Sequence, residues 1–248
     1  MATLIILHGW QSSKEKWQKV KELLEDPNLK VVALDLPGFK PENQLSKPWD
    51  LGDYVAWLEN SLTAYPEPVY LLGHSFGGRI AIKFADKNPE KLKGLILVAA
   101  AGIKKKKTIR DRVLLKIVKL AKKLGVQEQS SGAQGLEQLV RKIFYRYILR
   151  RTDYFKANPI QKEIMKSALE EDLTAFLPAI ITTTLIVWGK KDTFTPIKDG
   201  YLMKEKIKNS WLEVFPKNGH SLHLQCPEKL AQKIKNFIDS TSGHGTTN

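Results

Sequence analysis

The chain has 248 residues, 42% of them apolar, and a formal net charge of +14. This length and apolar content predict one α/β domain with an insertion and a sizeable core. No apolar run approaches the roughly 20 residues of a membrane span, and the run 4–7 is too short for a secretory signal. Cys226 is the only cysteine, so no disulfide framework or cysteine-based metal site is expected. We therefore expect a soluble cytoplasmic protein without a metal or cofactor.

Short apolar runs alternate with amphipathic stretches at both ends of the chain. Strands that alternate with helices predict a parallel sheet with helices on its faces. No strand precedes the first of these runs, so we expect a sheet that is trimmed at its N-terminal side. We predict about six parallel strands, at 3–7, 31–35, 69–72, 94–99, 184–188 and 211–215.

A glycine-bearing turn, His8-Gly9-Trp10, follows the first predicted strand. Such a turn can direct a backbone N–H into the crevice at the carboxyl end of the strands, where open α/β sheets bind ligands. Acyl transfer needs donors of this kind for the oxyanion of the transition state. The N–H of Trp10 is therefore one candidate donor, although the same residues also fit an ordinary turn.

The segment Gly73-His74-Ser75-Phe76-Gly77 lies between the third predicted strand and a helical stretch. A serine in a tight strand-to-helix turn presents its hydroxyl outward, and glycines two residues before and after it let the strand and the helix approach. This predicts Ser75 as a nucleophile, Gly73 and Gly77 as the glycines of the elbow, and the Phe76 N–H as the second oxyanion donor. Taken alone, the five residues also fit a turn without a catalytic role.

An acid and a base follow two later strands. Asp192 comes just after the fifth predicted strand, and His220 comes in the turn after the sixth, directly behind Gly219. Asp192 is also typical of a turn or a helix cap. His223 competes with His220 for the role of base, but Gly219 favours His220 as the residue that the loop presents. We interpret His223 as a packing or supporting residue.

Ser75, Asp192 and His220 occur in the chain order that α/β-hydrolases use for nucleophile, acid and base. From residue 4 to residue 238 the chain resembles the α/β-hydrolase fold superfamily, in its cap-bearing branch with a serine nucleophile. The resemblance implies that Ser75 attacks a carbonyl, that His220 takes its proton and that Asp192 orients the imidazole. The motifs that carry it are His8-Gly9, Leu34-Asp35-Leu36-Pro37-Gly38, the elbow at Ser75, Leu95-Ile96-Leu97-Val98, Trp188-Gly189-Lys190-Lys191-Asp192, and Gly219-His220 with Cys226-Pro227-Glu228 behind.

The segment 103–182 interrupts the alternation and has only helical patterns, which fits a cap inserted after the fourth strand. We predict cap helices at 108–124, 136–150 and 159–169, with a loop at 127–135. The candidate pocket residues are His74, Phe144 and Tyr147. The predicted domains are a core at 1–102 and 183–239, a cap at 103–182 and a disordered tail at 240–248.

The elbow serine disfavours the dehalogenases and epoxide hydrolases of this superfamily, whose nucleophile is a carboxylate. Trp10-Gln11 after His8-Gly9 differs from the Gly-Pro-Gly of proline aminopeptidases, which disfavours peptide cleavage. The resemblance therefore implies a carboxylic ester hydrolase, acting on small esters or lactones through an acyl-enzyme. Two alternatives stay open: a carbon–carbon bond hydrolase of ring-cleavage products, and a small-molecule receptor with slow turnover.

Residues 104–123 hold ten basic residues and one acidic residue, a net +9 of the chain's +14. This segment fits a solvated helix face, a weak attraction to anionic membrane surfaces or the steering of acidic substrates. No nucleic-acid partner is expected, because aromatic residues are not interleaved with the lysines.

Overall fold

A computed structural model describes residues 1–104 and 157–242 of the chain. The strands in these ranges are β1 (Ala2–Leu7), β2 (Leu29–Leu34), β3 (Val69–His74), β4 (Leu92–Val98), β5 (Thr184–Gly189) and β6 (Ser210–Phe215). They form one sheet with the order β2-β1-β3-β4-β5-β6, and every neighbouring pair is parallel. The predicted sheet of six parallel strands is confirmed.

Strand ends differ from the predicted ones by one or two residues. The second strand begins earlier, at Leu29, because Leu29 pairs with Ala2 at the start of the first strand. The fourth strand ends at Val98, one residue earlier than predicted, because Ala99 has a φ of 44° and leaves the extended conformation.

Helices cover both faces of the sheet. A crossover between parallel strands is right-handed. The chain moves along the sheet in one direction from β1 to β2 and in the opposite direction from β2 onward, so the helices of these connections lie on opposite faces. On one face, Leu4 and Ile6 of β1 pack in a buried cluster with Leu24 and Ile234. The α-helices in the described ranges are α1 (Gln18–Leu24), α2 (Leu51–Leu62), α3 (Phe76–Lys87), α4 (Pro159–Glu170), α5 (Ile197–Lys206), α6 (Leu222–Gln225) and α7 (Pro227–Thr241).

Helix α4 is the third helix predicted for the cap. Its N-cap is Asn158, whose side chain accepts a hydrogen bond from the Gln161 N–H at 2.8 Å, and Pro159 occupies the first helical position. The chain divides into two compact units, and residues 158–182 belong to the same unit as the sheet. The predicted cap at 103–182 includes these residues.

Helix α7 continues to Thr241, so residues 240 and 241 are helical although the predicted tail begins at 240. The Thr241 hydroxyl bonds back to the Phe237 carbonyl at 2.8 Å and lies 2.9 Å from the buried Tyr70 hydroxyl. These contacts hold the last turn. Residues 243–248 of the predicted tail and the predicted elements at 108–124, 127–135 and 136–150 lie outside the described residues.

Candidate active site

Ser75 lies between β3 and α3 in a backbone conformation that residues other than glycine rarely adopt. Its φ is 53° and its ψ is −109°. Such a conformation costs on the order of 1–3 kcal/mol and persists only where the surroundings impose it. Ser75 therefore occupies the strained strand-to-helix turn that the sequence predicted.

Close backbone packing imposes this conformation. A Cβ atom on Gly73 would lie 2.5 Å from the carbonyl oxygen of Gly77. A Cβ atom on Gly77 would touch the Leu7 carbonyl oxygen and lie 2.7 Å from the carbonyl oxygen of His8. The Gly77 N–H donates to that His8 oxygen at 3.1 Å. Both elbow glycines are therefore needed because backbone atoms of the neighbouring turn occupy the space of a side chain.

The two predicted oxyanion donors belong to residues that are in contact. The rings of Trp10 and Phe76 meet edge to face, with centroids 5.5 Å apart. Neither backbone N–H donates to an acceptor among the described residues. The Ser75 backbone, in contrast, is bonded on both sides: its N–H donates to Val98 at 3.2 Å, and its carbonyl accepts from Ala101 at 2.9 Å. The elbow is thus held, while the two N–H groups beside it have no acceptor in the described part of the chain.

His8 fixes the turn that carries Trp10. Its Nε2 accepts the Leu36 N–H at 3.0 Å, so its other nitrogen, Nδ1, carries the proton and donates to the Gly9 carbonyl at 2.7 Å. Burial lowers the pKa of His8. In the sequence this histidine is recognised only as part of the His8-Gly9 motif. In the structure it ties the first turn to the segment that follows β2.

Asp192 and His220 form a close pair. His220 Nδ1 lies 2.7 Å from Asp192 Oδ2, with the aspartate side chain fully buried and the imidazole 12% exposed. The His220 backbone also reaches the elbow, because its carbonyl oxygen lies 3.2 Å from Nε2 of His74, the residue before Ser75. The structure therefore brings all three predicted catalytic residues to the carboxyl ends of β3, β5 and β6.

Thr195 is a member of this site that the sequence analysis did not identify. Its hydroxyl lies 2.8 Å from Asp192 Oδ2 and 3.1 Å from the Ala99 carbonyl oxygen. The other aspartate oxygen accepts the N–H groups of Phe194 and Thr195 at 2.8 and 3.0 Å. Asp192 is thus both a turn former and the partner of His220. The signal in the sequence is the spacing of three positions between Asp192 and Thr195, which alone is typical of a turn or a helix cap.

Three imidazoles form a histidine cluster, His74, His220 and His223. The rings of His74 and His220 lie 4.9 Å apart, and those of His74 and His223 lie 4.7 Å apart. His223 stacks on Trp17 at 4.5 Å. Burial, and next the charge of His220, lower the pKa of His74 well below its usual range and that of His223 to about 4. His74 is only 4% exposed, so it packs inside this cluster instead of lining an open pocket.

The remaining predicted site residues, Phe144 and Tyr147, lie outside the described residues. Within residues 1–104 and 157–242, no group of three or more His, Cys, Asp or Glu side chains has an arrangement that could hold a metal ion, the histidine cluster included. No helix in the same ranges is long and apolar enough to span a membrane.

Comparisons with known proteins agree with the fold. The sequence model of the alpha/beta hydrolase fold matches residues 2–227. Monoacylglycerol lipase ABHD6 of Mus musculus is 25% identical over 268 residues, which cover 99% of this chain and 77% of that protein. AB hydrolase superfamily protein YisY of Bacillus subtilis (strain 168) is 26% identical over 253 residues, covering 96% and 91%. The structure of an esterase (EaEST) from Exiguobacterium antarcticum superposes with a TM-score of 0.73 at 23% identity, covering 96% and 92%. The chain belongs to the alpha/beta hydrolase fold family.

Proposed function

We propose that this protein is a serine hydrolase that cleaves carboxylic esters through an acyl-enzyme. Ser75 is the nucleophile, His220 the general base and Asp192 the acid that orients the base. The observation that carries the proposal is the 2.7 Å contact between His220 Nδ1 and Asp192 Oδ2, formed by a histidine whose backbone lies against the elbow of Ser75.

The aspartate defines the tautomer of the base. Because the Asp192 carboxylate accepts, His220 Nδ1 carries the proton and donates it into this hydrogen bond. Nε2 is then unprotonated and able to accept the proton of the Ser75 hydroxyl. Asp192 is itself held in place by the N–H groups of Phe194 and Thr195, so the imidazole cannot rotate freely.

The reaction proceeds in two halves. Ser75 Oγ attacks the ester carbonyl carbon as its proton passes to His220 Nε2, and the tetrahedral intermediate collapses when Nε2 returns the proton to the leaving alkoxide. Water then attacks the acyl-enzyme in the same way, which releases the acid and regenerates Ser75. The N–H groups of Trp10 and Phe76 stabilise the oxyanion in both halves.

The substrate class follows from this chemistry and from the relatives. A triad with two backbone donors suits an acyl carbon that bears an alkoxide leaving group, and a lactone is the cyclic form of the same substrate. Among relatives of similar sequence is a monoacylglycerol lipase, and a structure of the same fold is named an esterase. These names support esters as substrates, and lactones are included in the proposal on chemical grounds alone.

Hydrolysis of p-nitrophenyl esters from acetate to dodecanoate, and of several lactones, tests the proposal. We expect ester turnover that falls at least about a thousandfold in Ser75→Ala, and a chain-length optimum that measures the acyl pocket. Undiminished activity in Ser75→Ala would refute it. If no substrate turns over but a fluorophosphonate labels Ser75, a carbon–carbon bond hydrolase or a slow receptor replaces the esterase.

Association with anionic membrane surfaces through the predicted basic cap helix at 104–124 remains a proposal that rests on sequence charge alone, because these residues, apart from Lys104, lie outside the described ranges. Vesicle sedimentation tests it. More protein should pellet with vesicles that contain phosphatidylserine than with phosphatidylcholine vesicles, and equal partitioning contradicts it. The cytoplasmic location also stays a prediction.

A further inference from the structure

His74 contacts His220, the general base of the proposed mechanism. It is the last residue of β3, next to Ser75, and its Nε2 lies 3.2 Å from the backbone carbonyl oxygen of His220. A carbonyl oxygen only accepts, so His74 donates from Nε2. This hydrogen bond joins the elbow to the loop of the base, and it does so without using the imidazole of His220.

The second nitrogen of His74 shows which form of the ring is present. With the proton on Nε2, a neutral imidazole leaves Nδ1 as an unprotonated acceptor. Nδ1 is buried and has no hydrogen-bond partner in the described part of the chain. A Cβ atom on Gly9 would lie 2.9 Å from this Nδ1, so the ring packs directly against the turn before Trp10. A proton added at Nδ1 would be buried without an acceptor, which is costly.

Within the described residues, the loop that carries His220 is bonded on the elbow side by His74 and on its opposite side to other elements. On the opposite side, the N–H of Lys191 donates to Asn218 at 2.9 Å, and the Gly219 N–H donates to the Gln225 side chain at 2.7 Å. Those bonds tie the loop to the segment of Asp192 and to α6. Among the described residues, the bond from His74 is thus a direct hydrogen bond between the His220 backbone and the strand that ends at the nucleophile elbow.

The charged and titratable groups around His220 can balance only one positive charge. The imidazole of His74, at the end of β3, contacts that of His220, and the imidazole of His223, in α6, contacts that of His74. His8, just after β1, also lowers the pKa of His74. Lys16 also acts on His223. Among the described residues, Asp192 is the carboxylate bonded to the cluster, and it is paired with His220. During catalysis His220 becomes the imidazolium, so the surrounding rings must stay uncharged.

We propose that His74 is a positioning residue: as a neutral imidazole, it donates from Nε2 to the His220 carbonyl and thereby holds the general base against the Ser75 elbow. The inference rests on the proposed function, since it assigns the base role to His220. It adds a second support for the base, independent of Asp192, and it gives the residue before the nucleophile a role other than turn formation.

Two amide variants of similar polarity test the hydrogen bond. The amide nitrogen of His74→Gln reaches the place of Nε2, whereas that of His74→Asn reaches only the place of Nδ1. A third variant, His74→Leu, fills the site without a donor. We expect His74→Asn and His74→Leu to lower kcat about tenfold to a hundredfold with KM nearly unchanged, because a buried carbonyl loses its donor. His74→Gln should stay within about threefold of the wild type.

His223→Leu is the matched control. It removes an imidazole of equal burial that has no bond to the His220 backbone, and its kcat should stay within about threefold. Circular dichroism and thermal melts verify that each variant is folded. If His74→Leu does not fold, the comparison of His74→Gln with His74→Asn decides. Equal kcat in these two amide variants would overturn the inference.

The rate at which a fluorophosphonate labels Ser75 shows whether a negative result contradicts only the role of His74 or also the proposed function. Labelling needs the nucleophile and the base but no ester turnover. If the wild type is labelled quickly and His74→Asn slowly, the inference is supported whatever the substrate. If both are labelled equally fast, only the inference fails. If the wild type is neither labelled nor active on esters, the proposed function fails and the inference fails with it.

Discussion

The two halves of the site are built by different kinds of interaction. The elbow of Ser75 is shaped by backbone atoms: glycines at 73 and 77 let two turns approach so closely that no side chain fits. The pair Asp192 and His220 is instead held by side-chain hydrogen bonds, from Thr195, from two backbone N–H groups and between the pair itself. Backbone packing tolerates no added atom, whereas a hydrogen-bonded pair is sensitive to the loss of a charge or a donor. Substitutions in the elbow should therefore lower mainly the stability, whereas substitutions in the pair should lower mainly kcat.

The largest expected effect is on catalysis, in Asp192→Asn. The amide keeps the size of the carboxylate and its acceptor for the Phe194 and Thr195 N–H groups, but it removes the charge and the acceptor that fixes the His220 tautomer. We expect kcat to fall by roughly 10³–10⁴-fold, as in other triads, while the fold is retained. Ester kinetics and circular dichroism measure both quantities. A loss of less than tenfold would argue that His220 is oriented by another group.

The second-largest effect is expected on the stability of the fold, in the variant Gly77→Ala. The new Cβ atom would meet the carbonyl oxygens of Leu7 and His8, which are backbone atoms of a buried strand end and cannot move aside. We expect a loss of about 3 kcal/mol in the free energy of unfolding, measured by urea denaturation. Gly219→Ala is the control, because its nearest neighbour would lie 3.5 Å away, an ordinary contact. Equal losses in the two variants would contradict the backbone-packing account.

Acid should destabilise the histidine cluster. The pKa of His223 is about 4 in the folded protein, lowered by burial and next by His220 from the ordinary 6.5, so the unfolded chain binds the proton more readily. Its contribution to stability is complete above pH 6.5 and falls as the pH drops toward 4. His74 acts in the same direction.

Urea titrations at pH 7 and pH 5 measure this effect. From His223 alone we expect the free energy of unfolding to fall by about 2 kcal/mol over this interval. His223→Leu should remove that part of the pH dependence whatever its stability at pH 7. An unchanged difference between the two pH values would show that His223 titrates normally in the folded state.

The smallest effect is expected in Thr195→Val. The variant keeps the shape of the side chain and the backbone N–H, but it removes the hydroxyl that lies 2.8 Å from Asp192 Oδ2. Loss of one of several donors to a buried carboxylate should lower kcat about tenfold, with KM unchanged. Thr195→Ser, which keeps the hydroxyl, should recover most of the activity. A serine variant as slow as the valine variant would assign the effect to packing.

The sequence predicts one half of the site better than the other, for a physical reason. The elbow is local: its strand, serine and glycines lie within nine residues, and their spacing alone predicts the turn. The partners of His220 are distant in the chain, since His74 is 146 positions away. No pattern around either residue indicates that contact, and in the sequence it is Gly219 that favours His220 over His223 as the base.

The limits of the predicted cap show the same dependence on tertiary contacts. Residues 158–182 have helical patterns like the rest of the predicted cap, yet they belong with the sheet. The Gln161 amide donates to the Gly38 carbonyl at 2.8 Å, and the Leu173 N–H donates to Gly102 at 2.9 Å. Both partners are far away in sequence, so helical periodicity alone cannot assign this segment to the cap or to the core.

The acyl-enzyme itself gives the most direct test of the central claim. After rapid mixing with a p-nitrophenyl ester and acid quenching, intact and peptide mass spectrometry should detect one added acyl group on the peptide that contains Ser75. A burst of p-nitrophenol equal to the enzyme concentration should accompany it when deacylation is slower than acylation. Steady ester hydrolysis with no adduct on Ser75, and with the same rate in Ser75→Ala, would contradict the account.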